Sequence, residues 1–512
     1  MKRFTFVFTL LIFASLAAAE IRLPAIFGDN MVLQRQDKVA VWGWANPGEK
    51  VKVSPSWGWF GFYSQKTSAD ENGRWKVYIK TGKAKGPQKL TIKGEQNTVE
   101  LSNILLGEVW LCSGQSNMAW TLGAFENTEQ DIAAADFPQM RLFTVQREIS
   151  RQPLDDCSGK WEPCSPKTAA AFSAVAYYFG RTLHNELDVP VGLINSSWGG
   201  TVAEAWTSRD ALAEGGFESI FDRQREHEEN FEKTYEQYLK NLENWRAQAE
   251  KAKEEGKPEP PKPGEPKDFH ANSPSALYNA MINPLVPFTF KGTIWYQGES
   301  NRTRAFEYKS LFPTLIQNWR NVFDYKKMPF YFVQLASYRY GSGDQPLYLA
   351  ELREAQLLTL KGVPNTGMAV TTDISDIKNI HPHQKEQVGK RLALWALAKD
   401  YGKRVQYSGP IYDEMEVENG RIRIHFRHTA DGLAAKDGPL EWFEIAGLDG
   451  EFVEANAVID DDTVIVSSPD VPEPAHVRFG YHELAEPNLF NSAGLPASPF
   501  RTDSLPWLTE PK

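Results

Sequence analysis

The chain has 512 residues, of which 41% are hydrophobic and 24% are charged, and its formal net charge is −10. This composition is typical of a folded globular protein, and the length predicts two or three domains. The acidic charge argues against nucleic acid as a partner, because binding to phosphates needs clustered Lys and Arg.

The first 19 residues have the pattern of a secretory signal peptide. Lys2 and Arg3 precede an apolar run over residues 4–16, and the small residues 17–19 fit a cleavage site before Glu20. This run is too short to span a bilayer, and no other stretch reaches the roughly 18 apolar residues that a membrane helix needs. We therefore expect a periplasmic or secreted protein without membrane insertion.

Short strand-like runs fill residues 20–106, separated by turns rich in Gly, Pro, Asn and Asp. Such spacing predicts an antiparallel β-sandwich domain. The runs cover residues 31–33, 39–44, 50–53, 75–79 and 89–93. Residues 404–512 contain alternating runs again, for example 420–427 and 463–468, and predict a second β-rich domain.

Residues 107–403 alternate strand-like with helix-like segments. Apolar residues at helical spacing cover residues 172–186, 308–322, 347–360 and 385–401. Alternation of this kind predicts an α/β domain, in which helices cover a mostly parallel sheet. We expect this part of the chain to carry the function.

An insertion at about residues 218–268 departs from that alternation. Apolar residues recur at helical spacing over residues 231–249 in a charged background, which predicts one long amphipathic helix. A proline-rich segment, residues 257–266, follows and should be extended. The interpretation is a lid or packing arm on the domain surface, and a dimerisation helix is the alternative. The oligomeric state stays open.

Three apolar runs each end in small and amide-bearing residues. The polar ends are residues 113–118 (SGQSNM), 198–201 (WGGT) and 297–301 (QGESN). In open α/β sheets, ligands bind at the carboxyl ends of the strands. A serine there, Ser116, can act as a nucleophile beside N–H donors that stabilise an oxyanion.

A histidine with carboxylates just upstream lies in residues 373–382 (DISDIKNIHP). His381 titrates near neutrality, so it can accept the proton of a serine. A metal-dependent hydrolase is an alternative, because a zinc ion can be held by histidines and carboxylates such as His381, His383, Asp373 and Asp376. A carbohydrate-binding protein without catalysis is a further alternative.

Taken in order, these motifs resemble those of the SGNH hydrolases, and specifically the sialate O-acetylesterase family of carbohydrate esterases. The matching segments are residues 114–118 (GQSNM), 198–201 (WGGT), 296–301 (YQGESN) and 379–382 (NIHP), with further matches at 277–282, 352–356 and 388–392. The resemblance implies an SGNH-type, flavodoxin-like, three-layer catalytic domain with a parallel sheet. The ordinary α/β-hydrolase elbow, Gly-x-Ser-x-Gly, is absent because its second glycine is replaced by Met118.

The resemblance implies Ser116 as the nucleophile and His381 as the general base. An aspartate is expected two or three residues before the histidine, where this chain has Asn379 and Lys378. We assign the acid of the triad to Asp376. The alternatives are Asp373, or a Ser-His dyad in which a backbone carbonyl orients the ring.

The same motifs supply the remaining expected site residues. The oxyanion donors would be the backbone N–H of Ser116, a backbone N–H of Gly199 or Gly200, and the side chain of Asn301. Substrate binding is assigned to Gln115, Gln297 and Glu299. No metal or cofactor is expected. The expected substrate is O-acetylated sialic acid, with acetylxylan or another acetylated polysaccharide as the alternative.

The chain contains three cysteines. Cys112 lies on the strand before Ser116 and is expected to be a buried thiol. Cys157 and Cys164 flank a short polar loop in a chain that we expect to be exported, which predicts a disulfide between them.

Overall fold

The computed structural model describes residues 20–58, 63–341 and 345–511. The predicted signal peptide, residues 1–19, lies outside the described residues. Within the described part of the chain, no helix has the length and apolar character needed to cross a membrane.

The strands are β1 (Val32–Gln34), β2 (Lys38–Trp44), β3 (Lys50–Pro55), β4 (Gln65–Ser68), β5 (Arg74–Lys80), β6 (Lys85–Lys93), β7 (Thr98–Gly114), β8 (Phe137–Thr144), β9 (Trp161–Cys164), β10 (Val191–Ser197), β11 (Gly292–Tyr296), β12 (Phe330–Gln334), β13 (Thr366–Val370), β14 (Ile411–Glu418), β15 (Arg421–Arg427), β16 (Leu433–Ala435), β17 (Phe443–Ala446), β18 (Val453–Glu454), β19 (Asn456–Asp460), β20 (Thr463–Ser467), β21 (His476–Phe479), β22 (Leu489–Asn491) and β23 (Phe500–Arg501). The α-helices are α1 (Ser116–Ala119), α2 (Glu129–Ala133), α3 (Pro166–Ala170), α4 (Ala174–Leu187), α5 (Arg209–Glu214), α6 (Glu218–Glu229), α7 (Phe231–Glu254), α8 (Ala305–Val322), α9 (Tyr348–Gly362) and α10 (Lys385–Lys399).

A parallel sheet in the order β13-β12-β11-β7-β10-β8 forms the centre of the molecule, with β9 antiparallel at its edge. Successive residues of β12 point to opposite faces. Tyr331 contacts Trp395 of α10, whereas Phe332 contacts Phe312 of α8. Helices therefore cover both faces, which explains why β10, β11 and β12 are buried throughout. The predicted α/β class is confirmed.

Strand β7 is 17 residues long and belongs to two parts of the fold. Its first half pairs antiparallel with β6, and its second half pairs in parallel with β10 and β11. It crosses the predicted domain boundary at residues 106 and 107 without interruption. The turn that carries Ser116 is thus a direct continuation of a strand anchored at both ends.

The flanking segments are β-rich. Before β7, strands β1, β3, β4 and β6 join the large sheet, and β2 pairs separately with β5, whose residues alternate between exposed and buried. After α10 the chain forms sheets of order β14-β15-β20-β19 and β18-β17-β21-β23, together with the pair β16-β22. The predicted β-rich C-terminal segment is confirmed.

The insertion contains the predicted long helix, α7. Its Tyr238 and Ala249 are buried, and the indole N–H of Trp245 donates to the carbonyl of Pro260 at 2.7 Å. The proline-rich segment therefore returns along α7 and covers part of its apolar face.

The predicted disulfide is wrong. Cys157 and Cys164 are both free thiols, as is Cys112. Cys164 ends β9, where its Sγ lies 3.7 Å from the carbonyl oxygen of Ala135. Burial raises the pKa of Cys157 and of Cys164 to about 12, so both thiols are held in the protonated form.

Candidate active site

Ser116 begins α1 at the carboxyl end of β7. The preceding Gly114 has φ of 138°, and a Cβ there would overlap the carbonyl oxygen of Tyr296 at the end of β11. The backbone N–H of Gln115 donates to that same carbonyl at 2.9 Å. Only glycine fits this position, and the resulting turn presents Ser116 at the edge of the sheet.

The glycine pair after β10 lies beside Ser116. A Cβ on Gly199 would come within 3.2 Å of the Ser116 Cβ, so a side chain there would crowd the serine. Gly200 has a left-handed φ of 74°, and its carbonyl accepts a hydrogen bond from the amide of Asn272. The backbone predicted to supply oxyanion donors is therefore adjacent to the predicted nucleophile.

Asn301 is fully buried with its amide orientation fixed. Its Oδ1 accepts hydrogen bonds from the backbone N–H of Ala203 at 2.9 Å and from Gln297 Nε2 at 2.7 Å. Its Nδ2 donates to Glu204 Oε2 at 2.8 Å. Since an amide nitrogen carries two hydrogens, one N–H remains for another acceptor.

His381 lies in the loop between β13 and α10 and is half-buried. Its imidazole stacks on Trp120, with the ring centroids 4.6 Å apart and an interplanar angle of 26°. Burial, together with the nearby charge of Lys385, lowers the pKa of His381. The ring is therefore biased toward the neutral form that a general base requires.

The serine turn and the histidine loop are joined by direct contacts. Asn117 Nδ2 donates to the carbonyl oxygen of Ile380 at 3.0 Å, which links the residue after Ser116 to the residue before His381. The backbone N–H of Trp120 donates to the Ser116 carbonyl at 2.8 Å, while its ring stacks on His381. The structure thus brings the segments that carry the two predicted catalytic residues into contact.

The two predicted acids, Asp376 and Asp373, have hydrogen-bond partners other than the His381 imidazole. Asp376 Oδ1 accepts a hydrogen bond from the backbone N–H of Lys378 within its own turn. Both oxygens of Asp373 bind Arg391 at 2.6 Å. Within residues 20–58, 63–341 and 345–511, neither carboxylate hydrogen-bonds to the His381 ring.

The residues of the metal-binding alternative have separate partners. His383 is exposed and contacts the edge of Phe125 at 5.6 Å, and Asp373 is paired with Arg391 as described. The described residues contain no group of three or more His, Cys, Asp or Glu side chains placed to share a metal ion.

The residues assigned to substrate binding lie beneath the turn. Gln297 is fully buried, with Nε2 donating to the Thr201 carbonyl and Oε1 accepting from the Tyr308 hydroxyl. Gln115 is also buried, and its Oε1 accepts from the backbone N–H of Gly298 at 3.3 Å. Glu299 Oε1 accepts from Asn117 Nδ2 at 2.6 Å. All three side chains are thus buried and bound to groups of the protein itself, and their assignment to substrate binding stays a prediction.

Sequence reasoning missed Trp120, Asn117 and Lys385 as parts of the site. Asn117 lies within the motif that contains Ser116, so its position was the available signal. Lys385 begins α10, where a lysine would ordinarily be taken as solvated; here its Nζ donates to Asn117 Oδ1 at 2.5 Å, and the side chain is buried.

Known proteins are similar in sequence to most of this chain. The chain is 33% identical to sialate O-acetylesterase of Mus musculus over 443 residues, which covers 79% of each protein. The chain belongs to the sialate O-acetylesterase family. Sialate O-acetylesterase of Homo sapiens is 30% identical over 431 residues, or 77% of this chain and 74% of that protein.

Two further comparisons agree with membership of the sialate O-acetylesterase family. Residues 265–398, which include Asn301 and His381, match the family described as carbohydrate esterase, sialic acid-specific acetylesterase. The crystal structure of a carbohydrate acetylesterase from Xanthomonas citri superposes with a TM-score of 0.80 and 34% identity, covering 95% of this chain and all of that one. The protein is a carbohydrate esterase, and the resemblance drawn from its motifs is confirmed.

Proposed function

We propose that this esterase removes the O-acetyl group of acetylated sialic acid, with Ser116 as nucleophile and His381 as general base. The observation that carries the proposal is the pair of links between the two loops. Trp120, which follows the Ser116 helix, stacks on His381, and Asn117 binds the Ile380 carbonyl.

The chemistry follows from this arrangement. Ser116 Oγ attacks the acetyl carbonyl carbon while His381 accepts the hydroxyl proton, giving a tetrahedral oxyanion. Backbone N–H groups of Ser116 and Gly199 or Gly200, with the free N–H of Asn301, stabilise that charge. Collapse expels the sugar oxygen, which takes the proton from His381. Water, deprotonated by His381, then attacks the acetyl-serine. As this second intermediate collapses, the Ser116 oxygen takes the proton back from His381, and acetate is released.

We propose that the His381 ring is oriented by contacts with groups other than a carboxylate. The indole of Trp120 covers one face of the His381 ring, and the backbone on either side is held by hydrogen bonds from Asn117 to Ile380 and from the His381 N–H to Asn379 Oδ1. These contacts support the Ser-His dyad over a triad completed by Asp376. Replacing Asp376 tests the choice.

Sialic acid is favoured as the substrate by the family that residues 265–398 match and by the names of the curated relatives. An acetylated polysaccharide such as acetylxylan is the second candidate, because the superposable Xanthomonas citri enzyme is a carbohydrate acetylesterase. Acetate release from O-acetylated N-acetylneuraminic acids, compared with release from acetylated xylan at equal acetyl concentration, decides between them. A higher kcat/KM on xylan would overturn the sialate assignment.

We further propose that the enzyme works in the periplasm or outside the cell. The charged and apolar pattern of residues 1–19 supports export. Cell fractionation with N-terminal sequencing tests this, and the expected mature terminus is Glu20. Recovery of the uncleaved protein in the cytoplasm would contradict it.

A further inference from the structure

A buried lysine and a buried glutamate meet at the residue after the nucleophile. The side chain of Lys385 is 1% exposed and donates from Nζ to Asn117 Oδ1 at 2.5 Å. Glu299 is 6% exposed and accepts from Asn117 Nδ2 at 2.6 Å. Asn117 itself is 1% exposed, so the three side chains form a connected polar cluster beneath the site.

This cluster fixes which way the Asn117 amide faces. An ammonium group can only donate hydrogen bonds, so Lys385 must face the amide oxygen. The amide nitrogen then faces Glu299, and its second N–H donates to the Ile380 carbonyl at 3.0 Å. Reversal of the amide would place two donors against each other at Lys385. The Ile380 contact, and with it the backbone of His381, therefore depends on the buried lysine.

Stability alone does not account for burying these groups. Taking two ionisable groups out of water is costly, and well-packed apolar residues often replace such pairs without loss of stability. Burial lowers the pKa of Lys385 to about 7 and raises that of Glu299. Burying these groups therefore costs folding free energy at the position that links the serine turn to the histidine loop.

We propose that Lys385 and Glu299 are positioning residues that act through Asn117 to hold His381 against the Ser116 turn, in place of the carboxylate of a triad. This inference rests on the catalytic roles proposed for Ser116 and His381. It gives Glu299 a task different from binding substrate.

The charged groups around His381 determine the expected pH effect. Burial lowers the pKa of His381, and Lys385, from α10, is the charge that lowers it further. Asp373 is paired with Arg391, Asp376 caps its own turn, and His383 lies against Phe125. Removal of the lysine charge should therefore raise the pKa of His381 and move the acid limb of the rate profile to higher pH.

The test is Lys385→Met, with Lys390→Met as the matched control on the same helix. Lys390 is 55% exposed and pairs with Glu386 at the surface. For Lys385→Met we expect kcat to fall at least about tenfold, KM to change by less than about threefold, and the acid limb of kcat/KM to shift upward. Lys390→Met should change none of these.

A double variant, Lys385→Met with Glu299→Gln, separates positioning from folding. It removes both buried charges, so we expect its Tm to recover toward that of the parent while kcat stays low. Recovery of kcat together with Tm would overturn the inference, as would a Lys385→Met enzyme with normal kcat and an unshifted profile. Ser116→Ala distinguishes failure of this inference from failure of the proposed function. If the Ser116→Ala enzyme is active, the proposed function itself is refuted.

Discussion

The indole of Trp120 lies nearly parallel to the imidazole of His381, with 4.6 Å between their centroids. Trp120 follows directly on the short helix that begins at Ser116, so one turn of chain supplies both the proposed nucleophile and the surface that restrains the proposed base. Restraint of this kind is what the carboxylate provides in a triad, besides stabilising the imidazolium. The stacking explains how the ring can be oriented without a hydrogen-bonded acid.

Ser116→Ala is expected to abolish acetate release while leaving the fold intact. In the proposed mechanism the hydroxyl is the attacking group, and loss of a nucleophile commonly costs several orders of magnitude in kcat. Acetate release and Tm are measured together, with the exposed Ser504→Ala as the control. Retention of more than about a tenth of parental activity would remove Ser116 from the mechanism.

Asp376→Asn is expected to lower activity less than about tenfold, equivalent to roughly 1.4 kcal/mol of barrier. The reason is that its carboxylate caps a turn and does not bind the imidazole. His383→Ala should likewise cost little. A loss of several orders of magnitude on Asp376→Asn would restore the triad with Asp376 as its acid.

Asp373→Asn should act on stability rather than on catalysis. Asp373 and Arg391 are 9% and 12% exposed, and breaking such a pair costs about 3–5 kcal/mol because a charge is left buried. We expect a clearly lower Tm, with activity per folded molecule within about tenfold of the parent. An unchanged Tm with a collapse of kcat would make Asp373 the missing acid.

The pH profile of kcat/KM should reflect the lowered pKa of His381. Burial and then Lys385 lower this pKa, and the base must be neutral, so the rate should rise with pH through a midpoint below about 6.5. Rates on a neutral acetyl ester from about pH 4 to about pH 8 measure the midpoint. A midpoint above the ordinary histidine value would contradict the assigned base.

Asn301→Ala should reduce kcat about a hundredfold with little change in KM, because its free N–H acts on charge present in the transition state. Stability should also fall by about 1–3 kcal/mol, since Glu204 loses one partner. Asn318→Ala is the matched control: that buried amide binds Ser208, and its loss should lower Tm without lowering kcat. If the two variants have equal kcat, Asn301 has a structural role only and does not stabilise the oxyanion.

Much of the fold could be predicted from periodicity. Apolar spacing predicted α7, and α4, α8, α9 and α10 were predicted to within a few residues of their bounds. The full length of β7 could not be found in this way, because its first residues are exposed or half-buried, apart from Leu101, whereas residues 104–114 are buried throughout. Two different patterns gave no sign that they form one strand.

Site residues could be predicted from the sequence only where they lie within a recognisable motif. Ser116, Gly199 and His381 lie in recognisable segments, and the structure brings those segments together. Lys385 contacts Asn117 across 268 positions of sequence, a pairing that depends on the folded topology. The choice of Asp376 rested on nearness along the chain, whereas the fold directs that carboxylate into its own turn.

The continuous course of β7 has a mechanical consequence. A domain joined by a flexible linker can rotate, but here rotation of the N-terminal strands against the central sheet would break the ladder that β7 shares with β6, β10 and β11. Residues 20–58 and 63–97 are therefore rigidly coupled to the Ser116 turn, because β7 is one unbroken strand. Removing them would leave the first half of β7 without partners, in the same strand that ends at the Ser116 turn.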